Sequence, residues 1–461
     1  MRKIILILSI FSGILSFSQD TSDVFYLKGD YFQIINKNPD LEGGYYAIKS
    51  SNLENFLERI ITKFENIGYP FVEAKLENIK SNKADLVVSR GELYTIDSLA
   101  IYGNTKLTEK QLFQLIGMKK GEVYNQSKLD RIKNKLSSIP YLKTTQEHAV
   151  VFHKKTADIY LYLEKVNSNL IDGLIGFSKN EEEIEINGHL NITLQNLLNK
   201  GENIQMNWSA QQDKFQKMNS NLYFPNLIHS KIGSTASLDI YRKNNNFTNT
   251  KSEFSINTIL NEKSTIGVLF QNKNSISENN LLNNSKINTL GMELKIVQTN
   301  WTVNSKSYFG NRETQNKRYG YLNLNLNTRN QFLFSNSTSF NIQTNTHLIF
   351  SKQLQENELL YFGGSNSLKG FSEDEFTSSK YSLISTEISY KLDENTSSNI
   401  FFQQALYREN NTTKQIKSVG TGVNLKSKSG IIYLQYAIGI SENKSFNLQN
   451  GMIHIGIKNT F

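Results

Sequence analysis

Glu183-Ile184-Glu185-Ile186-Asn187-Gly188-His189-Leu190-Asn191-Ile192-Thr193-Leu194 is the stretch that decides the fold. Ile184, Ile186, Leu190, Ile192 and Leu194 share one parity, and Glu185, Asn187, His189, Asn191 and Thr193 take the other. Successive side chains of a strand point to opposite faces, so this period of two gives a strand with one apolar and one polar face. The rhythm recurs through the C-terminal two-thirds of the chain. Leu322, Leu324 and Leu326 alternate with Asn323, Asn325 and Asn327, and Ile453, Ile455 and Ile457 with His454, Gly456 and Lys458. In a soluble sandwich the apolar side would face a core. In a transmembrane barrel it faces lipid and the polar side lines the lumen.

The turns separate these readings. Lys200-Gly201, Pro225-Asn226, Asn261-Glu262, Thr299-Asn300, Arg329-Asn330, Asp393-Glu394-Asn395 and Ser429-Gly430 mark one set of tight connections. The intervening connections, at 242–249, 274–284, 352–379 and 441–448, are longer. Tight turns at one end and long loops at the other are the pattern of outer-membrane barrels, with the short turns periplasmic. Counting segments gives about sixteen strands, an even number as in bacterial barrels. The expectation is a 16-stranded antiparallel transmembrane β-barrel over residues 167–461.

The longest interruption holds Phe362-Gly363-Gly364-Ser365-Asn366-Ser367-Leu368-Lys369-Gly370-Phe371. Glycines let this backbone bend where other residues would clash, and one cation, Lys369, sits among apolar neighbours. The stretch resembles the characteristic loop of the Omp85 superfamily, which usually ends in Val-Arg-Gly-Phe or Val-Arg-Gly-Tyr. Here Lys369 stands in place of the Arg. Asn196-Leu197-Leu198-Asn199-Lys200-Gly201-Glu202 is similar to the Omp85 turn after the second strand, and Phe224-Pro225-Asn226 to the turn after the fourth. The final Phe461, on an alternating strand, resembles the terminal aromatic by which such barrels are recognised for assembly.

The resemblance implies that the loop enters the lumen and that its cation pairs with acids on the next two strands. By parity, Glu387 and Gln403 point inward, and Gln403 stands where the family commonly has Asp. The expected site is a loop lock of Gly363, Gly364, Leu368, Lys369, Gly370, Phe371, Glu387 and Gln403, with Lys369 contacting Glu387 and Gln403 as hydrogen-bond partner. Its expected role is structural or conformational, with a looser pair than the family's, since Lys offers a point charge where Arg offers a bidentate fork.

Ahead of the alternating region, Tyr94 to Tyr102 reads as a strand. Thr108 with Gln111 caps a helix carrying Leu112, Phe113 and Ile116, and a second helix carries Leu129, Ile132 and Leu136. Strands over 142–152 and 157–166 close the unit. This strand-helix-helix-strand-strand order over 93–166 resembles the POTRA module of Omp85 proteins. Residues 19–92 give a weaker copy. There Leu53, Phe56, Leu57, Ile60, Ile61 and Phe64 form one helical face, Ser51 with Glu54 offers a capping box, and Gly43-Gly44 interrupts the pattern. Both modules are expected to be small periplasmic α+β domains. Residues 1–18, with Arg2-Lys3, the apolar run Ile4–Leu15 and the small Ser16 and Ser18, read as an export signal peptide.

Among the 461 residues there is no cysteine, which excludes disulfides, thiolate metal sites and a lipidated N-terminal cysteine. The net charge of +9 is spread thinly, without the basic stripe that nucleic-acid binding needs. The six histidines are dispersed, and His189 and His454, both of lumen parity, read as ordinary lining residues. No Gly-x-Ser-x-Gly elbow or phosphate-binding glycine loop occurs, and Glu181-Glu182-Glu183 falls at a hairpin end. The chain is therefore expected to be neither an enzyme nor a cofactor or metal protein.

What the resemblance implies is assembly or translocation of polypeptides at the bacterial outer membrane. The partners would be membrane lipid, extended outer-membrane or secreted chains, and periplasmic or lipoprotein accessory subunits. A sheet edge of a module would template an incoming strand. So would the barrel seam between the first strand (170–178) and the last (451–461), with Gly173 and Gly176 easing its opening. Simple bending of the barrel is an equal account of those two glycines. The alternatives are an exporter of one dedicated partner and a passive pore. The former usually carries an N-terminal plug helix, for which residues 20–50 show no long amphipathic pattern.

Overall fold

The computed structural model describes residues 24–458, apart from 33–40, 138, 167, 181–182, 212–214, 226–231, 244–245, 262, 279–281, 366, 411, 428–429 and 443. The expected signal peptide, Glu181, Glu182, His229 and Phe461 lie outside the described residues. The chain divides after Val166 into two compact units.

In the first unit, β1 (Val24–Lys28) leads to a hairpin of β2 (Leu41–Glu42) and β3 (Tyr45–Lys49), then α1 (Leu53–Glu65), β4 (Glu73–Lys80) and β5 (Lys83–Ser89). The sheet order is β2-β3-β1-β5-β4. Gly43 and Gly44, at φ +58° and +83°, form the hairpin tip. Two consecutive positive φ angles fit a tight hairpin, and glycine adopts them without a steric cost. The break in the helical pattern is thus a strand pair, and it covers the outer edge of β1. Helix α1 buries Leu53, Phe56, Leu57, Ile60 and Phe64 on one stripe. The expected Ser51–Glu54 capping box does not form. A 3-10 turn over Ser50–Asn52 takes up Ser51, and the helix starts after Asn52 without a side-chain cap.

The second module runs β6 (Thr95–Tyr102), α2 (Glu109–Ile116), α3 (Gln126–Asp130), α4 (Ile132–Ser137), β7 (Leu142–Thr144), β8 (Ala149–Phe152) and β9 (Thr156–Lys165). Thr108 and Gln111 form the reciprocal capping box of α2, and Gly117 ends it in a left-handed conformation. The expected second helix is two short ones, and the expected strand over 142–152 is split into β7 and β8. Central β9 pairs in parallel with β6 on one side, and antiparallel with β7 and β8 on the other. Its Ile159, Leu161 and Leu163 are buried against the helices. Asn125, the N-cap of α3, also donates to the Asn66 carbonyl at the end of α1 (2.8 Å), and Ser127 N–H donates to Asn66 Oδ1 (2.8 Å).

The second unit contains β10 (Leu170–Asn180), β11 (Glu183–Gln195), β12 (Asn203–Gln211), β13 (Phe215–Phe224), β14 (Ile232–Lys243), β15 (Phe247–Asn261), β16 (Ser264–Ser277), β17 (Ser285–Val297), β18 (Trp301–Thr314), β19 (Lys317–Leu333) and β20 (Thr338–Phe350). After the long connection, which holds β21 (Leu360–Phe362) and β22 (Phe376–Ser378), come β23 (Lys380–Lys391), β24 (Thr396–Glu409), β25 (Thr412–Ser427), β26 (Gly430–Ile440) and β27 (Met452–Lys458). All but β21 and β22 form one 16-stranded sheet in chain order, with β20 beside β23. Every neighbouring pair is antiparallel, and the architecture is a barrel. Ile256, Val268, Phe270, Leu290, Phe309, Ile388, Ile400, Leu434 and Ile455 stand exposed on the outer face. Ser255, Gln271, Thr289, Tyr308, Phe401, Gln403 and His454 are buried on the inner one.

One expected turn is misplaced. Arg329 and Asn330 are ladder residues of β19, paired with Gln343 and Ile342, and the chain reverses after Leu333. Polar Asn-rich strands hide their ends, because Asn reads as a turn residue in either place. Gly173 and Gly176 lie in β10, where an added Cβ would come within 2.6 Å of the His189 carbonyl oxygen and of Asn187 Oδ1 respectively. Among the described residues no ladder joins β10 to β27.

Candidate functional site

Residues 351–379 turn back into the barrel, because their partners lie on inward-facing positions right around the wall. The first half docks on β14 to β19. Arg312 of β18 grips the Glu358 carboxylate through Nε and Nη2, and donates to the Lys352 and Gln353 carbonyls at 2.9 and 3.0 Å. Both side chains are fully buried, at 0% and 1% exposure. Asn357 takes a bond from Asn249 Nδ2 on its carbonyl (2.8 Å) and donates to Ser275 Oγ (2.8 Å). Lys243 pairs with Glu356 at 2.8 Å.

The second half docks on β23 to β27, with one return contact to β13 and β14: Asp374 pairs with Lys217 (2.7 Å) and accepts from Tyr241 OH (3.2 Å). Phe362, Leu368 and Phe371 form an apolar cluster with Tyr381, Leu383, Ala405, Tyr407 and Ile416 of the wall. Phe362 stacks on Tyr381 with ring centroids 4.5 Å apart. Three inner bonds shape the turn before the tip: Gly363 N–H to Ser367 Oγ (2.7 Å), Gly364 N–H to the Leu368 carbonyl (2.9 Å), and Ser365 N–H to Glu373 (2.7 Å). Gly370, at φ +79°, passes so close to β26 that a Cβ there would lie 2.6 Å from Gly439 N.

Gln403 reads the tip backbone in both senses. Its Oε1 accepts from Lys369 N–H (2.9 Å), and its Nε2 donates to the Ser367 carbonyl (3.0 Å). The reversed amide would set donor against donor, so the network fixes its orientation. An Asp at this position could accept but could not donate. The Lys369 ammonium does not take the expected place against Glu387. It lies over the Phe401 ring, 4.2 Å from the centroid, and Phe401 is the residue directly across the ladder from Glu387. Glu387 accepts instead from Ser389 Oγ (2.8 Å), and among the described residues no ion pair joins it to Lys369. The backbone bond to Gln403 sets where the lysine stem starts, and the aromatic face lies under it.

Two participants escaped the sequence reading. The Arg312–Glu358 pair joins residues far apart in the chain. Parity alone places Arg312 inward, since Phe309 of the same strand is exposed, but nothing in sequence pairs it with Glu358. His454, read as plain lining, is bonded to the tip: Gly370 N–H donates to its Nε2 at 3.0 Å. Among the described residues no cluster of histidines and carboxylates is arranged to hold a metal ion.

Comparison with known proteins completes the picture. The POTRA family model, described as surface antigen variable number repeat, matches residues 94–164. No curated protein matches the sequence. Among solved structures, the barrel and modules are similar to BamA from Haemophilus ducreyi lacking POTRA domains 1–3 (TM-score 0.56, 13% identity, 94% of this chain and 97% of that one). They are also similar to CdiB from Acinetobacter baumannii (TM-score 0.58, 13% identity, covering 95% and 94%). CdiB from Escherichia coli gives TM-score 0.58 at 12% identity, covering 95% and 91%.

The fold is of the Omp85 type. Within the Omp85 frame, the second module is the POTRA domain. In chain order, the first module has the β2–β3 hairpin where the second has helix α2.

Proposed function

We propose that this Omp85-type protein sits in the bacterial outer membrane with its N-terminal modules in the periplasm, and handles extended β-rich polypeptides by strand templating. The observation that carries the reading is the pair of terminal strands, β10 and β27, left without a mutual ladder among the described residues of an otherwise continuous sheet. An unpaired edge is a template for another strand. Gly173 and Gly176 in β10 add no side chain to pack at that junction.

A second edge is offered by the POTRA module. β7 and β8 pair with β9 on one side only, and the break between them opens a groove of about 370 Å³ against α4, lined by Ile132, Lys133, Leu136, Gln146, His148 and Tyr162. The first module is a poorer template, because its own hairpin covers β1 and its β4 edge alternates Glu73, Lys75 and Glu77.

The second reading, export of one dedicated partner, is favoured by the likeness to CdiB. A passive pore is disfavoured by a connection that ties β18 to β24 and β27 through the lumen. Depletion followed by outer-membrane proteomics separates the three. Loss of many barrels supports the assembly reading, loss of one secreted protein supports dedicated export, and an unchanged membrane overturns both in favour of a pore.

A further inference from the structure

Three residues of the last hairpin hold the plug tip. His454 of β27 accepts from Gly370 N–H (3.0 Å), and Lys444 of the β26–β27 connection donates to the Gly370 carbonyl (3.3 Å). Gly439 of β26 lets the two backbones touch, since a Cβ on it would fall 2.6 Å from the Gly370 oxygen. On its other side the tip is held by Gln403 of β24 and by the apolar cluster on β23 to β25. Successive peptide groups of the tip therefore bridge the wall to the terminal strand. The seven described residues of that strand have β26 as their one ladder among the described residues.

The bond has a direction. A backbone N–H is the donor, so the imidazole must be neutral at Nε2, with its proton on Nδ1. His454 is 8% exposed, and water does not readily replace the bond once it breaks. We infer that His454 is a positioning residue that registers β27 against the plug, so that release of the tip and movement of the terminal strand are one event. The inference rests on the proposed reading of the β10–β27 junction as the working seam. It deepens that reading by naming the residue through which the plug governs the seam.

Hydrogen exchange read by mass spectrometry, on the full chain in bilayers without client, tests it. In His454→Phe, which keeps a ring and loses the acceptor, peptides covering 363–376 and β27 are expected to exchange faster together, by about tenfold. Peptides from β18 and β19 stay unchanged. His454→Gln, which keeps an acceptor at similar reach, restores both, whereas a merely space-filling role would favour Phe over Gln. Acceleration of the plug with β27 unchanged, or of neither, overturns the inference.

Should His454→Phe loosen β18 and β19 as well, Gln403→Leu gives the decision from the other side of the tip. Faster exchange in β27, which Gln403 does not touch, supports the coupling, and an unchanged β27 refutes it. Because no client is present, the outcome is independent of whether depletion reveals one.

Discussion

Gln403→Leu is the sharpest probe of how the plug is held. Leucine nearly fills the volume of glutamine but makes neither bond, so Lys369 N–H and the Ser367 carbonyl lose their partner inside the barrel. Stranding each such group costs about 1–3 kcal/mol, so tip docking weakens by about 2–6 kcal/mol. At about 1.4 kcal/mol per decade, the released population rises by at least about 30-fold. Trypsin reads this directly. The Lys369–Gly370 bond lies between Leu368 and Phe371, which are 0% and 1% exposed, so cleavage there requires the tip to leave its seat. When reclosing outpaces cutting, the rate follows the open population. Cleavage after Lys369 should therefore accelerate at least about 30-fold, with cuts elsewhere unchanged. Gln403→Glu, which keeps the acceptor and loses the donor, should fall between. If Gln403→Leu is cut no faster than the unaltered chain, the two amide bonds contribute nothing and the tip is held by its apolar cluster, His454 and Lys444 without them.

Four further outcomes are expected. Gly370→Ala places a Cβ 2.6 Å from Gly439 N at a positive φ, and should weaken tip docking by about 2–4 kcal/mol in the same protease assay. Arg312→Met strands a fully buried carboxylate and should destabilise the barrel by about 3–5 kcal/mol, read by thermal unfolding. The double variant Arg312→Met, Glu358→Leu should recover much of the loss, because it removes both charges. Asn125→Ala removes the N-cap of α3 together with the bond to Asn66, and should cost the POTRA module about 1–2 kcal/mol by pulse proteolysis in urea. Burial holds the His148 imidazole below its ordinary value, with Asp130 and Glu147 opposing. The unfolded module thus binds the proton more readily than the folded one. Stability is full above about pH 6.5 and falls as the pH drops below it, a decline that His148→Gln should flatten.

How much of this was legible in the sequence depends on the range of the signal. Parity is local, and Leu322 to Asn327 or Ile384 to Leu392 declares its faces without reference to any other strand. That is why the barrel, the inward placement of Gln403 and Glu387, and the strand count were readable. Turn chemistry is local too, but Arg329-Asn330 shows where it fails: in a chain rich in Asn, the same residue lines a lumen and tips a hairpin. The capping box at Thr108 formed while that at Ser51 did not, because a 3-10 turn before α1 used the backbone first. Contacts across the lumen carry no such mark. Nothing near Arg312 announces Glu358, and nothing near His454 announces Gly370. Only the folded-back loop brings them together.

The amide and the aromatic ring that meet the tip bear on what drives its docking. Burial of Phe362, Leu368 and Phe371 is worth at most about 5–9 kcal/mol at about 1.5–3 kcal/mol per side chain. The cation over Phe401 adds about 0.5–2 kcal/mol. Apolar contact and the two neutral bonds to Gln403 thus outweigh the cation–ring contact. Gln403→Asp keeps an acceptor but removes the donor to Ser367, so it should open more readily in the tryptic assay. If Gln403→Asp opens no more readily than the unaltered chain, the bond from Gln403 Nε2 to the Ser367 carbonyl contributes nothing to the seat of the tip.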